Sequence, residues 1–125
     1  MLVLGGGTVA LYAIYWARRL GAGRIVAMSR SERRRELSLA MGATDFICFG
    51  DNEVGEVAEA LGGAPQIVYE CVGAEGMLSK AVNHAAQFGK ISGQPHRPAK
   101  SLKSTPLQHR FNSRRLNVAE HSLDA

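Results

Sequence analysis

The sequence predicts a doubly wound α/β fold, in which helices cover both faces of a parallel sheet of about five strands. Short apolar segments, typical of buried strands, alternate with segments of helical periodicity throughout residues 1–93. The length of 125 residues suffices for one domain with one core. Because crossovers between parallel strands are right-handed, the expected strand order is 3-2-1-4-5.

The first predicted unit is a strand, a glycine-rich turn and a helix. Leu2–Leu4 is a short apolar run that ends at three consecutive glycines. Residues 8–20 have a helical pattern that is apolar on nearly all sides. This pattern ends at two arginines and Gly21, as is common at a helix C-terminus.

Four further strands and three helices continue the alternation. Ser29 and Glu32 have the spacing of a capping box, which predicts that the second helix begins at Ser29. Asp51 is the predicted cap of the third helix. The predicted strands are residues 24–28, 45–49, 66–73 and 88–92, and the predicted helices are residues 29–41, 51–61 and 75–86.

Composition changes abruptly at Gly93, which we interpret as a boundary. Residues 1–93 carry nine lysines and arginines against nine acidic residues, whereas residues 94–125 carry six against two and contain no glycine. The net charge of +4 therefore arises in this tail, whose composition predicts irregular or disordered structure. Six cations could contact nucleic-acid phosphates, but Phe111 is the only aromatic residue of the tail, which argues against a nucleic-acid partner.

Several other classes of protein are disfavoured. The longest apolar stretch, residues 9–17, is half the length of a membrane helix and follows no signal-peptide pattern, so a cytoplasmic location without membrane contact is expected. Cys48 and Cys71 lack metal-site spacing, and on strands three and four they would lie about 14 Å apart, too far for a disulfide. The three histidines of the tail also lack the spacing of metal ligands.

Gly5, Gly7 and Ala10 have the G-x-G-x-x-A spacing of a dinucleotide-binding turn, placed between a predicted strand and a predicted helix. Gly5 would allow the tight turn, Gly7 would let the backbone approach a pyrophosphate, and Ala10 would let the helix pack closely on the first strand. The helix N-terminus offers free N–H groups to the phosphates. The alternative interpretation is a glycine-rich turn without a ligand.

The end of the second strand predicts which dinucleotide would bind. NAD sites place a carboxylate there to accept ribose hydroxyls, but this chain has Ser29 followed by Arg30 and then Arg34. A hydroxyl and guanidinium groups can bind a 2′-phosphate through charge-assisted hydrogen bonds. We therefore favour NADP(H) over NAD(H). The alternative is that these arginines, like Arg33 and Arg35, belong to a solvated helix face.

Three segments together resemble the nucleotide-binding domain of the medium-chain dehydrogenase/reductase superfamily, the zinc-type alcohol dehydrogenases: LVLGGGTVALYAIYWARRLGAGRIVAMSRSERRRELSLAMGAT, QIVYECVG and FGKISG. The resemblance covers residues 1–93, a Rossmann-type sheet, and implies hydride transfer between a nicotinamide dinucleotide and an alcohol or carbonyl. It implies that Gly5, Gly7, Thr8 and Val9 surround the pyrophosphate.

The resemblance also implies roles at the two ends of the dinucleotide. Ser29 stands where the family has its ribose-selecting carboxylate, and Arg34 stands at a basic position near the adenosine ribose. Val72 and Gly73 match the segment that passes beside the nicotinamide ribose.

The chain departs from the family in two respects. The zinc-binding residues of the family's catalytic domain lie largely before the first strand, so zinc is expected for the full-length family, and no catalytic or metal residue is assigned here. The tail does not align with the family's sixth strand, which suggests a C-terminally truncated domain joined to out-of-frame or foreign sequence. The apolar surface of the first helix, with Tyr12, Tyr15 and Trp16, would then favour self-association.

The sequence therefore favours the cofactor-binding part of an NAD(P)-dependent alcohol dehydrogenase-like oxidoreductase that is not catalytic alone. A nucleotide-binding module without catalysis and a non-functional gene fragment are the alternatives. A methyltransferase is only a minor alternative, because proteins of that class normally have an acidic residue after the second strand, where this chain has Ser29.

Overall fold

The computed structural model describes residues 1–93 and 117–118, in which strands and helices alternate along the chain. The strands are β1 Leu2–Leu4, β2 Val26–Ser29, β3 Asp45–Cys48, β4 Ile67–Glu70, β5 Lys90–Gly93 and β6 Asn117–Val118. The helices are α1 Thr8–Arg19, α2 Arg35–Met41, α3 Glu53–Leu61 and α4 Met77–His84, with a 3-10 turn at Glu32–Arg34 directly before α2.

The strands form one parallel sheet in the order β3-β2-β1-β4-β5-β6. The predicted Rossmann-type order 3-2-1-4-5 is therefore confirmed for the first five strands. Leu4, the last residue of β1, lies in register with Met28 of β2 and Glu70 of β4. The carboxyl ends of the central strands thus meet at one edge of the sheet, which is where ligands bind in open α/β folds.

A sixth strand lies within the tail that the sequence predicts to be irregular. Asn117 and Val118 pair with Lys90 and Ile91 of β5. A strand of two residues is too short for a periodic pattern, so nothing in the sequence indicated it. The other residues of the tail, on which the predicted disorder or foreign origin depends, lie outside the described residues.

Alternate strand residues divide the core between the two faces of the sheet. Val3 of β1 and Ala27 of β2 pack with Ala10 and Ile14 of α1 on one face. The other face packs against α3 and α4, and its buried residues include Leu2, Leu4, Val26, Met28, Val57, Val68, Ala81 and Ile91. Because β1 is buried on both faces, the glycine turn that follows it starts from a rigid support.

Two predicted helix caps are wrong. Ser29 is the last residue of β2, paired with Cys48 of β3, and does not cap a helix. The next helical turn begins after Ser31. Asp51 does not cap α3, which begins at Glu53. Capping-box spacing is local, whereas the last residue of a strand is determined by its partner on the neighbouring strand.

The strand order confirms that the two cysteines belong to strands that are not neighbours, although Cys71 lies directly after the fourth strand and not within it. Cys48 ends β3 and Cys71 follows β4, with β2 and β1 lying between these strands. Both thiols are free in the part of the chain that the structure describes. Burial, together with the neighbouring Glu70 carboxylate, raises the pKa of the Cys71 thiol to about 12. Cys71 is therefore a neutral thiol at physiological pH.

Candidate functional site

The turn after β1 requires glycine at its first position. Gly5 has a φ of +128°, a conformation that residues with side chains rarely adopt, and its N–H donates a hydrogen bond to the Met28 carbonyl at 2.7 Å. A Cβ on Gly5 would lie 3.4 Å from Cγ2 of Val72 and 3.5 Å from Cβ of Ala10. The turn is therefore packed between the start of α1 and the loop that follows β4.

Gly7 leaves the start of α1 open. It is the N-cap of the helix, and among the described residues no side chain caps it. A Cβ on Gly7 would meet no described atom within 4 Å, and Thr8 and Val9, the next two residues, are exposed. The first N–H groups of a helix have no partners within the helix, so this open end with its positive dipole suits a phosphate.

Ala10 contributes to the site through packing. It is fully buried, and its Cβ is one of the atoms nearest to the position a Gly5 side chain would occupy. A small residue at this position suits the close approach of α1 to the end of β1.

Ser29 and Arg34 lie against the glycine turn. A Cβ on Gly6 would come within 2.8 Å of Cγ of Arg34 and 3.0 Å of Oγ of Ser29. The structure thus brings the hydroxyl and the stem of the arginine to the side of the turn that faces β2. Arg30, the next residue after β2, is exposed, and no described residue forms a hydrogen bond or ion pair with it.

Arg33 and Arg35 have other surroundings. Arg35 forms an ion pair with Glu32 three residues earlier, and its guanidinium group lies 5.1 Å from the centre of the Phe46 ring. The hydrogen bonds from Arg35 lower the pKa of Glu32, which also accepts a hydrogen bond from the Cys48 thiol at 3.4 Å. Arg33 is exposed. Of the arginines in this segment, Arg34 is the one placed against the turn.

The loop after β4 forms the other side of the site. Val72 is exposed, and its Cγ2 lies 3.4 Å from the position that a Cβ on Gly5 would occupy. Gly73 has a φ of +75°. Both backbone N–H groups donate hydrogen bonds to Oε1 of Glu70, at 2.6 Å for Val72 and 2.8 Å for Gly73. Sequence analysis missed Glu70, although a charged residue inside the apolar segment QIVYECVG was a signal that could have identified it.

The ten residues predicted for cofactor binding therefore lie at the carboxyl ends of three neighbouring strands, β2, β1 and β4. The segment after β1 holds the glycines and the start of α1, the last residue of β2 and the segment after it hold the serine and the arginines, and the turn after β4 holds Val72 and Gly73. The arrangement fits an extended dinucleotide, because an uncapped helix N-terminus lies between a cationic side and an apolar side.

A second polar cluster, formed by Glu53, Lys80 and His84, lies between α3 and α4. Lys80 donates hydrogen bonds to both carboxylate oxygens of Glu53, at 2.9 Å and 3.1 Å, and Nε2 of His84 lies 2.6 Å from Oε2. Glu53 also accepts a hydrogen bond from the Gly50 N–H at 3.1 Å. The sequence did not indicate this cluster, because its members are far apart along the chain.

Within residues 1–93 and 117–118, no three histidine, cysteine or acidic side chains lie close enough together to hold a metal ion. The described residues thus offer no set of zinc ligands. No helix among them is long and apolar enough to cross a membrane.

Comparison with known proteins gives a consistent result. A family profile described as zinc-binding dehydrogenase matches residues 8–117. This match continues past Gly93, up to the first residue of β6. A Pseudomonas protein named as a probable alcohol dehydrogenase is 33% identical over 110 residues, which are 85% of this chain and 34% of that protein.

Solved structures of dehydrogenases have the same fold. A zinc-binding dehydrogenase from Sinorhizobium meliloti bound to NADP is 25% identical with a TM-score of 0.70, and the match covers 94% of this chain and 35% of that one. The alcohol dehydrogenase TADH from Thermus sp. ATN1 is 29% identical with a TM-score of 0.67, covering 94% and 34%. The chain thus spans about a third of the length of each of these three relatives.

Proposed function

The chain belongs to the zinc-binding dehydrogenase family within the medium-chain dehydrogenase/reductase superfamily, and from that premise we propose that it binds NADP(H) as the cofactor-binding part of an alcohol dehydrogenase-like oxidoreductase. The bound nicotinamide would supply or accept the hydride that is exchanged with an alcohol or carbonyl substrate. The chain's own contribution is to bind and orient the dinucleotide. No step is assigned to zinc, because the described residues provide no ligand set for it.

The pyrophosphate binds at the start of α1 in this proposal. Gly7 lets the phosphates approach the backbone, since the space beside its Cα is open. The N–H groups at the exposed residues Thr8 and Val9 donate to the phosphate oxygens, and the helix dipole favours their negative charge. Gly5 and Ala10 act indirectly, because they hold the helix close to the end of β1.

The preference for NADP(H) depends on the side of the turn that faces β2. The observation that carries it is the placement of Ser29 and Arg34 against Gly6, where an NAD site would have a carboxylate. Arg34 and the exposed Arg30 can pair with a 2′-phosphate, and the Ser29 hydroxyl can donate to it without the repulsion a carboxylate would cause.

Titration of the chain with NADPH and NADH tests this proposal, with the fluorescence of the nicotinamide and of Trp16 as the signal. We expect micromolar affinity for NADPH and weaker binding of NADH. Arg34→Ala should weaken the binding of NADPH by about tenfold or more, because a hydrogen bond to a charged group contributes about 1.5–3 kcal/mol. The affinity for NADH, which lacks the 2′-phosphate, should change little.

Two further variants sharpen the titration. Ser29→Asp should weaken NADPH and strengthen NADH, because it restores the ribose-binding carboxylate. Arg33→Ala is the matched control, since it removes an exposed arginine of the same segment that is not among the atoms nearest to a Cβ on Gly6. Equal affinities of the wild-type chain for NADPH and NADH would contradict the proposed preference. Failure to bind either at millimolar concentration would contradict cofactor binding itself.

A further inference from the structure

Glu70 is a buried acid at the carboxyl end of β4, and the residue is 5% exposed. It lies in register with Leu4 of β1 on one side and Gly93 of β5 on the other. No described residue forms an ion pair with it. A buried carboxylate is costly unless it accepts hydrogen bonds, so its partners indicate why an acid stands here.

The partners of Glu70 are backbone groups of the following loop. Oε1 accepts the N–H of Val72 at 2.6 Å and the N–H of Gly73 at 2.8 Å. Hydrogen bonds to an ionised acceptor are short and stronger than neutral ones. The carboxylate thus folds Cys71, Val72 and Gly73 into a turn, and Gly73 adopts the left-handed conformation with a φ of +75° that this turn requires.

The neighbours of Glu70 keep this turn in place. A Cβ on Gly93 would lie 3.2 Å from Cβ of Glu70 and 3.5 Å from its Oε2, so glycine at this position leaves room for the carboxylate. On the other side, Val72 packs over Gly5, with 3.4 Å between its Cγ2 and the position of a Gly5 Cβ. The orientation of Val72 is therefore fixed relative to the pyrophosphate turn.

The position of this turn in the sheet indicates which half of the dinucleotide lies beside it. β4 and β2 flank β1 on opposite sides, so the loop after β4 lies about 10 Å across the sheet edge from Ser29. If the 2′-phosphate lies on the β2 side and the pyrophosphate lies over β1, the nicotinamide half extends over the β4 side. Glu70 is then remote from the adenosine half.

We propose that Glu70 is a positioning residue for the nicotinamide half of the cofactor, because its carboxylate holds Val72 and Gly73 as the wall on which the nicotinamide riboside rests. Glu70 does not itself contact the cofactor. This inference rests on the proposed function, since it takes the dinucleotide to bind across the three turns.

The test compares two ligands on the full chain. NADPH contains both halves of the cofactor, whereas 2′,5′-ADP contains only the adenosine half with its 2′-phosphate. Glu70→Ala should raise the Kd for NADPH by about tenfold, because both charge-assisted hydrogen bonds to the loop are lost. It should leave the Kd for 2′,5′-ADP within about twofold of wild type. The enhancement of nicotinamide fluorescence on binding should fall as well.

Two other variants separate the loss of the hydrogen-bond acceptor at position 70 from a loss of folding. Glu70→Met fills a similar volume without an acceptor, so it should reproduce the selective loss even if the alanine variant does not fold. Glu70→Gln keeps an acceptor oxygen and should retain most of the NADPH affinity. Circular dichroism confirms that each variant is folded.

The outcomes separate this inference from the proposed function. If wild type binds neither NADPH nor 2′,5′-ADP, the proposed function fails, and the inference fails with it. If wild type binds both, equal weakening of the two ligands by Glu70→Ala and Glu70→Met indicates a general structural role and overturns the inference. Unchanged binding of both ligands by these variants also overturns it.

Discussion

The acidic residues buried in this small domain accept hydrogen bonds for different purposes. Glu70 binds backbone N–H groups of a loop, whereas Glu53 binds the side chains of Lys80 and His84 and the N–H of Gly50. Nδ1 of His84 is buried without a hydrogen-bond partner among the described residues. The cluster thus links α3 to α4 through one carboxylate.

The pH dependence of stability should reveal the Glu53 cluster. Burial by itself raises the pKa of Glu53, but the hydrogen bonds from His84, Lys80 and Gly50 outweigh burial, and the pKa lies below its ordinary value. A group whose pKa is lowered by folding stabilises the fold above its unfolded pKa of about 4.3, and this stabilisation is lost as the pH falls through the folded pKa. The domain should therefore lose stability progressively below about pH 5.

Urea unfolding of wild type and Glu53→Gln at several pH values measures this loss. The variant should be less stable by about 2 kcal/mol at neutral pH, and the difference should shrink in acid as the wild-type carboxylate is protonated. Glu59→Gln, at an exposed position of the same helix, is the control and should show a small difference at every pH. A Glu53→Gln difference that stays constant from neutral to acid pH would refute this account.

At the scale of elements, the alternation of strands and helices and the order of five strands were predictable, because both follow from apolar periodicity and the handedness of crossovers. The ends of elements were less predictable. Ser29 has the spacing of a helix cap, yet its pairing with Cys48 makes it a strand residue. The contact of Arg34 with Gly6 had no local signal, because the two residues are far apart along the chain. The contacts of Glu70 with the following loop are local, but only the residue type indicated them.

The start of α1 allows fold and binding to be tested separately. Gly5→Ala should lower the free energy of unfolding by about 1–3 kcal/mol, because alanine would be strained at a φ of +128°, although its Cβ would make only ordinary contacts. Gly7→Ala should change stability little, since its φ of −81° suits any residue and its Cβ would point into open space. That same Cβ would fill the space through which the pyrophosphate reaches the backbone. It should therefore weaken the binding of NADPH by about tenfold or more.

Thermal unfolding and NADPH titration of both glycine variants provide the measurement. The two substitutions add the same methyl group two residues apart, so each is the matched control of the other. Full NADPH affinity in a folded Gly7→Ala chain would show that the phosphates do not bind at the start of α1.

At the scale of the whole molecule, the site depends on both sides of the sheet. The core on the α1 side fixes the glycine turn, and the core on the α3 and α4 side fixes the end of β4 that carries Glu70. Both cores share β1, which is buried on its two faces. The adenosine side and the nicotinamide side of the proposed site are therefore held at a constant spacing by the central strand.

The outer face of α1 leads to a prediction about association. Tyr12, Trp16 and Leu20 follow one stripe of the helix and its end and are 59%, 56% and 83% exposed. The ring of Tyr15, which is half-buried, packs edge-on against Trp16. Large exposed apolar patches are uncommon on monomeric domains and favour association. We therefore expect the 125-residue chain to self-associate at tens of micromolar.

Sedimentation velocity over a range of concentrations tests this expectation. Tyr12→Ser combined with Trp16→Ser should shift the chain toward monomer, because it removes the two aromatic rings most exposed on α1. Phe88→Ser is the control, since Phe88 is 73% exposed but lies in the segment between α4 and β5 and not on α1. A compact wild-type monomer at tens of micromolar would contradict the prediction, and a shift toward monomer with Phe88→Ser alone would place the contact elsewhere.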